Sequence, residues 1–305
     1  MTLTLPRLWP IVRTALLVLS LAVVGLVVPD SAVRPAELSL VKLRGADGVD
    51  VGDDVIWILA IGSDARPGET MTRTRGDAIQ LVGLNTETGA ASTIGIARDS
   101  WVPIPGYGSN RVNAALTFGG PSLMGTTVGN LVGIRPDYVM VTRFPFFENM
   151  INDIGGIYVD NPRPFSDPNL KPQAFKQGHI KLDGYSAMAF SRIRKSLAGG
   201  DFDRSANQQR VLRGIQARIA TRADEPGFIE RGVMSVLRNM DTNLAPPELF
   251  ELAQVVAQVD PKKIRSCVVG GSYGTIGGAS IIFPNVSQAR RYGDAARSDA
   301  TLGPC

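Results

Sequence analysis

Arginine and aspartate recur side by side at the ends of short apolar runs in this sequence. Gly62-Ser63-Asp64-Ala65-Arg66 follows the run Val55–Ile61, Arg73-Thr74-Arg75-Gly76-Asp77 precedes Ala78–Leu84, and Arg98-Asp99 follows Ala91–Ala97. Downstream stand Arg192-Ile193-Arg194, then Asp201-Phe202-Asp203-Arg204 and Gln208. A single Arg–Asp pair reads as a weak surface ion pair. The whole set does not, because so many guanidiniums on short apolar strands repel one another without an anion. Guanidinium groups grip phosphate oxygens bidentately and stay charged in any surroundings. With no thiol or imidazole cluster nearby, the carboxylates beside them suit Mg²⁺ rather than zinc. Arginines plus aspartate-bound Mg²⁺ are equipment for phosphoryl transfer, in which catalysis is positioning and charge neutralisation.

Elements that could gather these groups are legible. Val55–Ile61 is a continuous apolar run, as in a strand buried on both faces. Ala78–Leu84 and Ala91–Ala97 read as a hairpin around Asn85-Thr86-Glu87-Thr88-Gly89. Helical spacing is read over 121–131, 144–154, 186–193, 202–222 and 247–259, with short strands at 138–142 and 157–159. The expected fold is α/β: a mixed central sheet with helices on both faces, a three-layer sandwich, preceded by one N-terminal transmembrane helix. If the strands are neighbours, their Arg–Asp ends meet at one edge of the sheet. Arg192 and Arg194 are expected on one side of an extended segment. Arg204 and Gln208 share a helix face, with Asp201 capping that helix or reaching a metal.

Residues Thr14–Val28 (TALLVLSLAVVGLVV) carry no charge, Arg7 and Arg13 precede them, and Asp30 and Glu37 follow. Cations stay on the cytoplasmic side, so the rest of the chain is expected outside. The expected organisation is a cytoplasmic N-terminus (1–10), an uncleaved membrane anchor (11–28), a linker (29–54), a catalytic core (55–222) and a C-terminal part of the same domain (223–305). A cleaved signal peptide is the competing reading, and it also exports the domain. In an oxidising compartment Cys267 and Cys305 are expected to form one disulfide pinning the tail. The lone His179 reads as a turn residue. A net charge of +4 is compatible with a polyanionic ligand or anionic lipid. It does not argue for nucleic acid, and neither an aromatic-and-basic RNA motif nor zinc-finger spacing is present. There is no Walker A motif, so an activated phosphate available outside the membrane, such as a lipid-linked pyrophosphate, is the expected donor.

At these residues the chain resembles the LytR-CpsA-Psr family of cell-wall glycopolymer ligases. The resemblance rests on Ile61–Arg66, Arg75-Gly76-Asp77, Ala97–Ser100, Arg111–Ala115, Phe190–Arg194, and Gly200–Arg204 with Gln208, in the family's motif order over about Val55–Ile219. It implies transfer of a phosphate-linked glycan from a polyprenyl pyrophosphate carrier to peptidoglycan, beside the cytoplasmic membrane and with Mg²⁺. Carried over by residue, Asp64 and Asp77 match the metal-associated carboxylates. Arg75, Arg98, Arg192, Arg194 and Arg204 match the pyrophosphate-binding arginines, and Gln208 a polar group of the pocket. Asp201 matches an acidic residue near the metal or the acceptor. Asp64, Arg98 and Asp201 are the expected catalytic set, and Arg66 and Asn113 also fall on motif positions. Gly76 stands where a Ser or Thr is more usual, and Arg111 where Lys is common. The resemblance further implies a hydrophobic tunnel for the lipid tail, which the apolar stripes of 123–131 and 144–154 could line, although ordinary core packing explains such stripes equally. Two rival functions keep the same site: a hydrolase of lipid pyrophosphates, and a non-catalytic binder of the lipid-linked glycan.

Overall fold

A computed structural model describes residues 36–49, 54–229, 232, 236–237 and 240–305. The described part opens with strands β1 (Leu38–Lys42), β2 (Val55–Ser63), β3 (Gly76–Asn85) and β4 (Ala91–Gly95). The hairpin β5 (Trp101–Ile104) and β6 (Gly108–Arg111) leads into helix α1 (Ala114–Val132). Strand β7 (Tyr138–Arg143) runs straight into α2 (Phe144–Asp153). Strands β8 (Ile157–Asn161), β9 (Phe165–Asp167), β10 (Lys171–Phe175) and β11 (Gly178–Leu182) form two small antiparallel pairs, β8 with β11 and β9 with β10. Helices α3 (Gly184–Arg192) and α4 (Asp201–Ala220) follow, then β12 (Met240–Thr242), α5 (Pro246–Gln258) and β13 (Ile264–Val268). The hairpin β14 (Gly271–Ile276) and β15 (Ala279–Pro284) precedes α6 (Val286–Ala296).

Seven strands make the central sheet, in the order β12-β1-β7-β2-β3-β4-β13. The pairs β1–β12, β2–β7 and β4–β13 are parallel, and the other three are antiparallel. Successive residues of β2 point to opposite faces, so its continuous apolar run supplies two cores at once. Trp57, Leu59 and Ile61 pack with Leu116, Met124 and Val128 of α1 and with Ala289 and Tyr292 of α6. Ile56 and Ile58 pack with Leu249 and Leu252 of α5. Helix α4 lies over β3 and β4, where its Gln209 side chain donates to the Thr93 carbonyl. A third cluster, with Ile151, Phe165, Phe175 and Phe190, holds α2 and α3 to the small strand pairs. The mixed sheet with helices on both faces is therefore as the sequence predicts.

Several boundaries differ from expectation. The expected linker 29–54 contains β1, which sits inside the sheet between β12 and β7, and the compact unit begins at Ala36. The run Leu38–Lys42 is short, and only its distant partners at 138–142 and 240–242 make it a strand. Strands β12 and β13, from the part after residue 222, also belong to the central sheet. Helix α1 starts seven residues before the expected 121 and is broken at Gly120 (φ 68°), just before Pro121. Proline lacks the N–H that would continue the ladder, and glycine accepts the left-handed turn. His179 lies in β11 rather than in a turn, stacked on Tyr158 with its Nδ1 2.7 Å from Asp160. The apolar stripes of α1 and α2 pack as core through Met124, Val128 and Leu131, and through Phe146 and Ile151. The expected N-terminus (1–10), anchor (11–28) and the linker residues before 36 lie outside the described residues. Among the described residues no helix is long and apolar enough to cross a membrane.

Cys267 of β13 is buried and bonded to Cys305, 38 residues on, as expected. The bridge closes the chain segment that carries the β14–β15 hairpin and α6. Loop-closure entropy for a segment of this length is worth about 4 kcal/mol in the unfolded-chain account, and measured values commonly fall to roughly 2–4 kcal/mol. Cys305→Ser is accordingly expected to lower unfolding stability by about 2–4 kcal/mol in denaturant melts. A melt that matches the wild type would show that the tail contributes nothing.

Candidate functional site

Strand direction brings the three Arg–Asp clusters to one end of the sheet. The end of β2 registers with the start of β3, Ser63 opposite Gly76, and Gly95 at the end of β4 lies opposite Gln80 in β3. Asp64 and Arg75 then close the base of the loop between β2 and β3, where the Asp64 N–H donates to the Arg75 carbonyl at 3.3 Å. The turn after β4 presents Arg98 and Asp99.

Arg98 is the hub. It donates a short hydrogen bond to the Asp77 carboxylate, and its Nε lies 3.7 Å from Asp99. Burial opposes its charge, but Asp77, Asp99 and more distant Asp201 outweigh burial and raise its pKa above the ordinary arginine value. Its buried Nε has no hydrogen-bond partner, leaving one donor uncommitted. Asp99 also meets Arg111 (3.5 Å) and Arg194 (3.5 Å). Arg194 continues to Asp201 at 3.3 Å, and Asp201 pairs with buried Arg204 at 2.7 Å. Burial lowers the Arg204 pKa, opposed by the Asp201 charge. The result is one chain of alternating charges, Asp77–Arg98–Asp99–Arg194–Asp201–Arg204, with Arg111 as a branch.

Not every predicted residue joins it. Arg192 and Arg194 do not share a side. Helix α3 ends at Arg192, whose guanidinium lies 4.4 Å over the Phe144 ring, whereas Arg194 reaches Asp99 and Asp201. The helix end separates them, because Ile193 turns to an extended conformation. Asp201 does not cap α4; Gly200 is the cap and Asp201 the first helical residue, spending its oxygens on arginines instead. Gln208 is buried rather than open to a ligand. Its Nε2 donates to the Ser191 carbonyl, and its Oε1 accepts from Gln80. Arg75 is exposed and acts on Asp64 at a distance, and Arg66 is exposed beside Glu69. Asn113 is buried, its N–H donating to the Arg98 carbonyl at 3.3 Å.

No local sequence pattern marks the groups that hold this arrangement in place. Gln80 and Gln209 form a buried amide network with Ser205 and Gln208, which ties α4 to β3 and, through Gln209, to the Cys267 carbonyl. The contact needs Gly95, since a Cβ there would lie 2.4 Å from the Ser205 hydroxyl. Arg143, at the end of β7 and opposite Ser63, reaches under the β2–β3 loop to the carbonyls of Arg66 and Glu69. Ser63 ties the same loop from inside, donating to the Met71 carbonyl and sharing a hydrogen bond with Thr74. Arg143 had no sequence signal beyond being a lone charge at an apolar strand's end. Arg143→Ala removes the two hydrogen bonds that hold the Arg66 and Glu69 carbonyls, at about 0.5–1.5 kcal/mol each because water reaches this exposed loop. Amides 64–75 are expected to exchange hydrogen faster than those of β2, and equal protection in wild type and variant would refute the clasp.

Asp64 makes no ion pair among the described residues. Burial and the nearby charge of Asp77 push its carboxyl pKa up, against the pull of Arg98 and Arg75. Two carboxylates of which one is uncompensated suit a divalent cation, and Mg²⁺ characteristically takes one or two carboxylates and completes its shell with water and substrate phosphate. No group of three or more potential metal ligands occurs among the described residues, so an all-protein cage does not fit. Beside the charge chain opens a cavity of about 610 Å³ lined by Arg98, Arg194, Lys195, Tyr273, Ser280 and Ile282.

Fold and site together define an α/β protein with an arginine-rich, carboxylate-flanked centre at one sheet end. The LytR_cpsA_psr family profile matches residues 37–297, and the chain belongs to that family. The polyisoprenyl-teichoic acid–peptidoglycan teichoic acid transferase TagU of Bacillus anthracis is 30% identical over 216 residues, spanning 68% of this chain and 69% of that protein. The corresponding TagT of Bacillus subtilis is 31% identical over 255 residues, spanning 79% and 77%. Among solved structures, B. subtilis TagV superposes with a TM-score of 0.69 at 26% identity, over 83% of this chain and 99% of that one. The family resemblance seen in the sequence is thus borne out, and the chain is an enzyme of the transferase class.

Proposed function

We propose that this enzyme transfers a phosphate-linked glycopolymer from a polyprenyl pyrophosphate carrier to peptidoglycan, on the outer side of the cytoplasmic membrane. The observation that carries the proposal is the convergence of Arg98, Arg194 and Arg204 with Asp64 and Asp77 at one sheet end, in a chain whose relatives are named for this transfer. The uncharged run at Thr14–Val28 supports an anchor, and the Cys267–Cys305 bridge supports an oxidising, exported location.

In this reading the diphosphate displaces part of the internal pairing. Arg98 turns its uncommitted Nε to a phosphate oxygen, and Arg194 and Arg75 add charge around it, while Arg192 stays over the Phe144 ring. Arg204 keeps Asp201 fixed. Asp64 and Asp77 would hold Mg²⁺, which when bound neutralises phosphate charge and steadies the leaving group. A peptidoglycan hydroxyl attacks the phosphorus that bears the glycan. A new P–O bond forms, the bond to the bridging oxygen breaks, and the lipid monophosphate leaves. The hydroxyl proton passes to a carboxylate, Asp64 or Asp201. Asp64 is favoured, since Asp201's oxygens are taken by Arg194 and Arg204.

The test supplies the full-length chain in detergent with a prenyl-pyrophosphate glycan and peptidoglycan, with and without Mg²⁺. Glycan covalently attached to the wall is expected. Free glycan phosphate would instead identify a hydrolase, and tight binding without turnover would identify a carrier.

A further inference from the structure

We infer that Tyr273 on the β14–β15 hairpin is a stacking platform for a pyranose ring of the glycan substrate, a subsite beside the phosphate-binding arginines. The inference rests on the transfer reading above and deepens it.

Three observations carry it. First, the hairpin is fixed to the charge chain rather than merely near it. The Ile282 N–H donates to the Asp99 carbonyl at 3.0 Å, and Arg111 donates to the Ser280 carbonyl at 2.6 Å. Second, Tyr273 is held by its hydroxyl and leaves its ring open. The hydroxyl donates to the Gly199 carbonyl (3.1 Å) and accepts from the Asp201 N–H (3.2 Å), while the Phe202 ring lies 5.6 Å away between centroids at an interplanar angle of 63°. Even so, the residue remains 55% exposed. An exposed aromatic side chain tethered at its polar tip is preorganised, so a ligand that stacks on it loses little further side-chain freedom. Third, the ring lines the same cavity of about 610 Å³ as Arg98 and Arg194. That volume lies in the range of sites for drug-sized ligands, and a diphosphate alone leaves much of it open. Polar groups at the rim, Ser280 and Lys195, suit sugar hydroxyls next to an apolar ring face.

The sugar could belong to the donor, next to its phosphate, or to the peptidoglycan acceptor; the shared chemistry is a pyranose face on an aromatic ring. Tyr273→Ala and Tyr273→Phe separate the ring from the hydroxyl. Full-length protein is assayed for binding of prenyl pyrophosphate without sugar, for binding of prenyl pyrophosphate bearing a disaccharide, and for KM toward peptidoglycan. Tyr273→Ala is expected to leave the sugar-free lipid unaffected. It is expected to weaken either the sugar-bearing donor or the acceptor by roughly five- to tenfold, and the affected arm names the source. Tyr273→Phe should keep most of the wild-type value in that arm. If Ala matches the wild type in both sugar arms, or if Phe loses as much as Ala, the platform is refuted, the latter result assigning Tyr273 to the positioning of Asp201. Failure of the wild type to bind the sugar-free lipid at all would refute the transfer reading instead.

Discussion

Arg98→Ala is expected to reduce glycan transfer by about 10²–10³-fold, on the scale of removing one preorganised donor from a developing charge. Arg98 is the only arginine in the chain of charges that touches both the Asp77 side and the Asp99 side. Its removal also strips Asp77 of its ion-pair partner, so the loss should be larger than for exposed Arg75. Arg98→Lys should recover little, because an ammonium cannot bridge two carboxylates and a phosphate with a planar fork. The measurement is single-turnover transfer at saturating donor, alongside a thermal melt to confirm the fold. Transfer within threefold of wild type in a folded Arg98→Ala protein would remove Arg98 from the mechanism.

Arg204→Ala is expected to act mainly on stability. Arg204 and Asp201 are both almost fully buried and pair at 2.7 Å. Removing one partner of such a pair leaves the other charge uncompensated, typically at about 3–5 kcal/mol. Arg194 still reaches Asp201 at 3.3 Å, so the lower end, about 3 kcal/mol, is expected. The double variant Asp201→Asn with Arg204→Gln removes both charges and should recover much of that loss while remaining inactive. Denaturant melts of the three proteins give the comparison. An Arg204→Ala protein as stable as the wild type would mean that water already reaches the pair.

The two variants draw on different physics at neighbouring positions. Arg98 sits where charge is shared and one donor is idle, so its loss is felt in the reaction. Arg204 sits behind the site, where it fixes Asp201, and its loss is felt in folding first. The Gln80–Gln208–Gln209 network lies on the same side, fastening α4 to the sheet. Gln208, expected to face the ligand, belongs to this fastening because both ends of its amide are satisfied inside the protein.

Amino-acid order alone determined which residues could do chemistry and which segments could carry them. The two-sided burial of β2 follows from its unbroken apolar run. The β3–β4 pairing follows from two strand-like runs joined by a turn. Given those strands, antiparallel geometry obliges Asp64, Asp77 and Arg98 to appear at one end of the sheet. Tertiary structure alone decided the rest. The segment Leu38–Lys42 became a strand because distant β7 and β12 complete its hydrogen bonds, a choice no local propensity records. Arg192 and Arg194 parted because a helix ended between them. Arg143, Gln209 and Tyr273 acquired their places through partners 70 or more residues away. Residue type and strand period act within a few residues, whereas burial and hydrogen-bond satisfaction are settled only when remote segments pack, and the second kind of constraint assigned these side chains their partners.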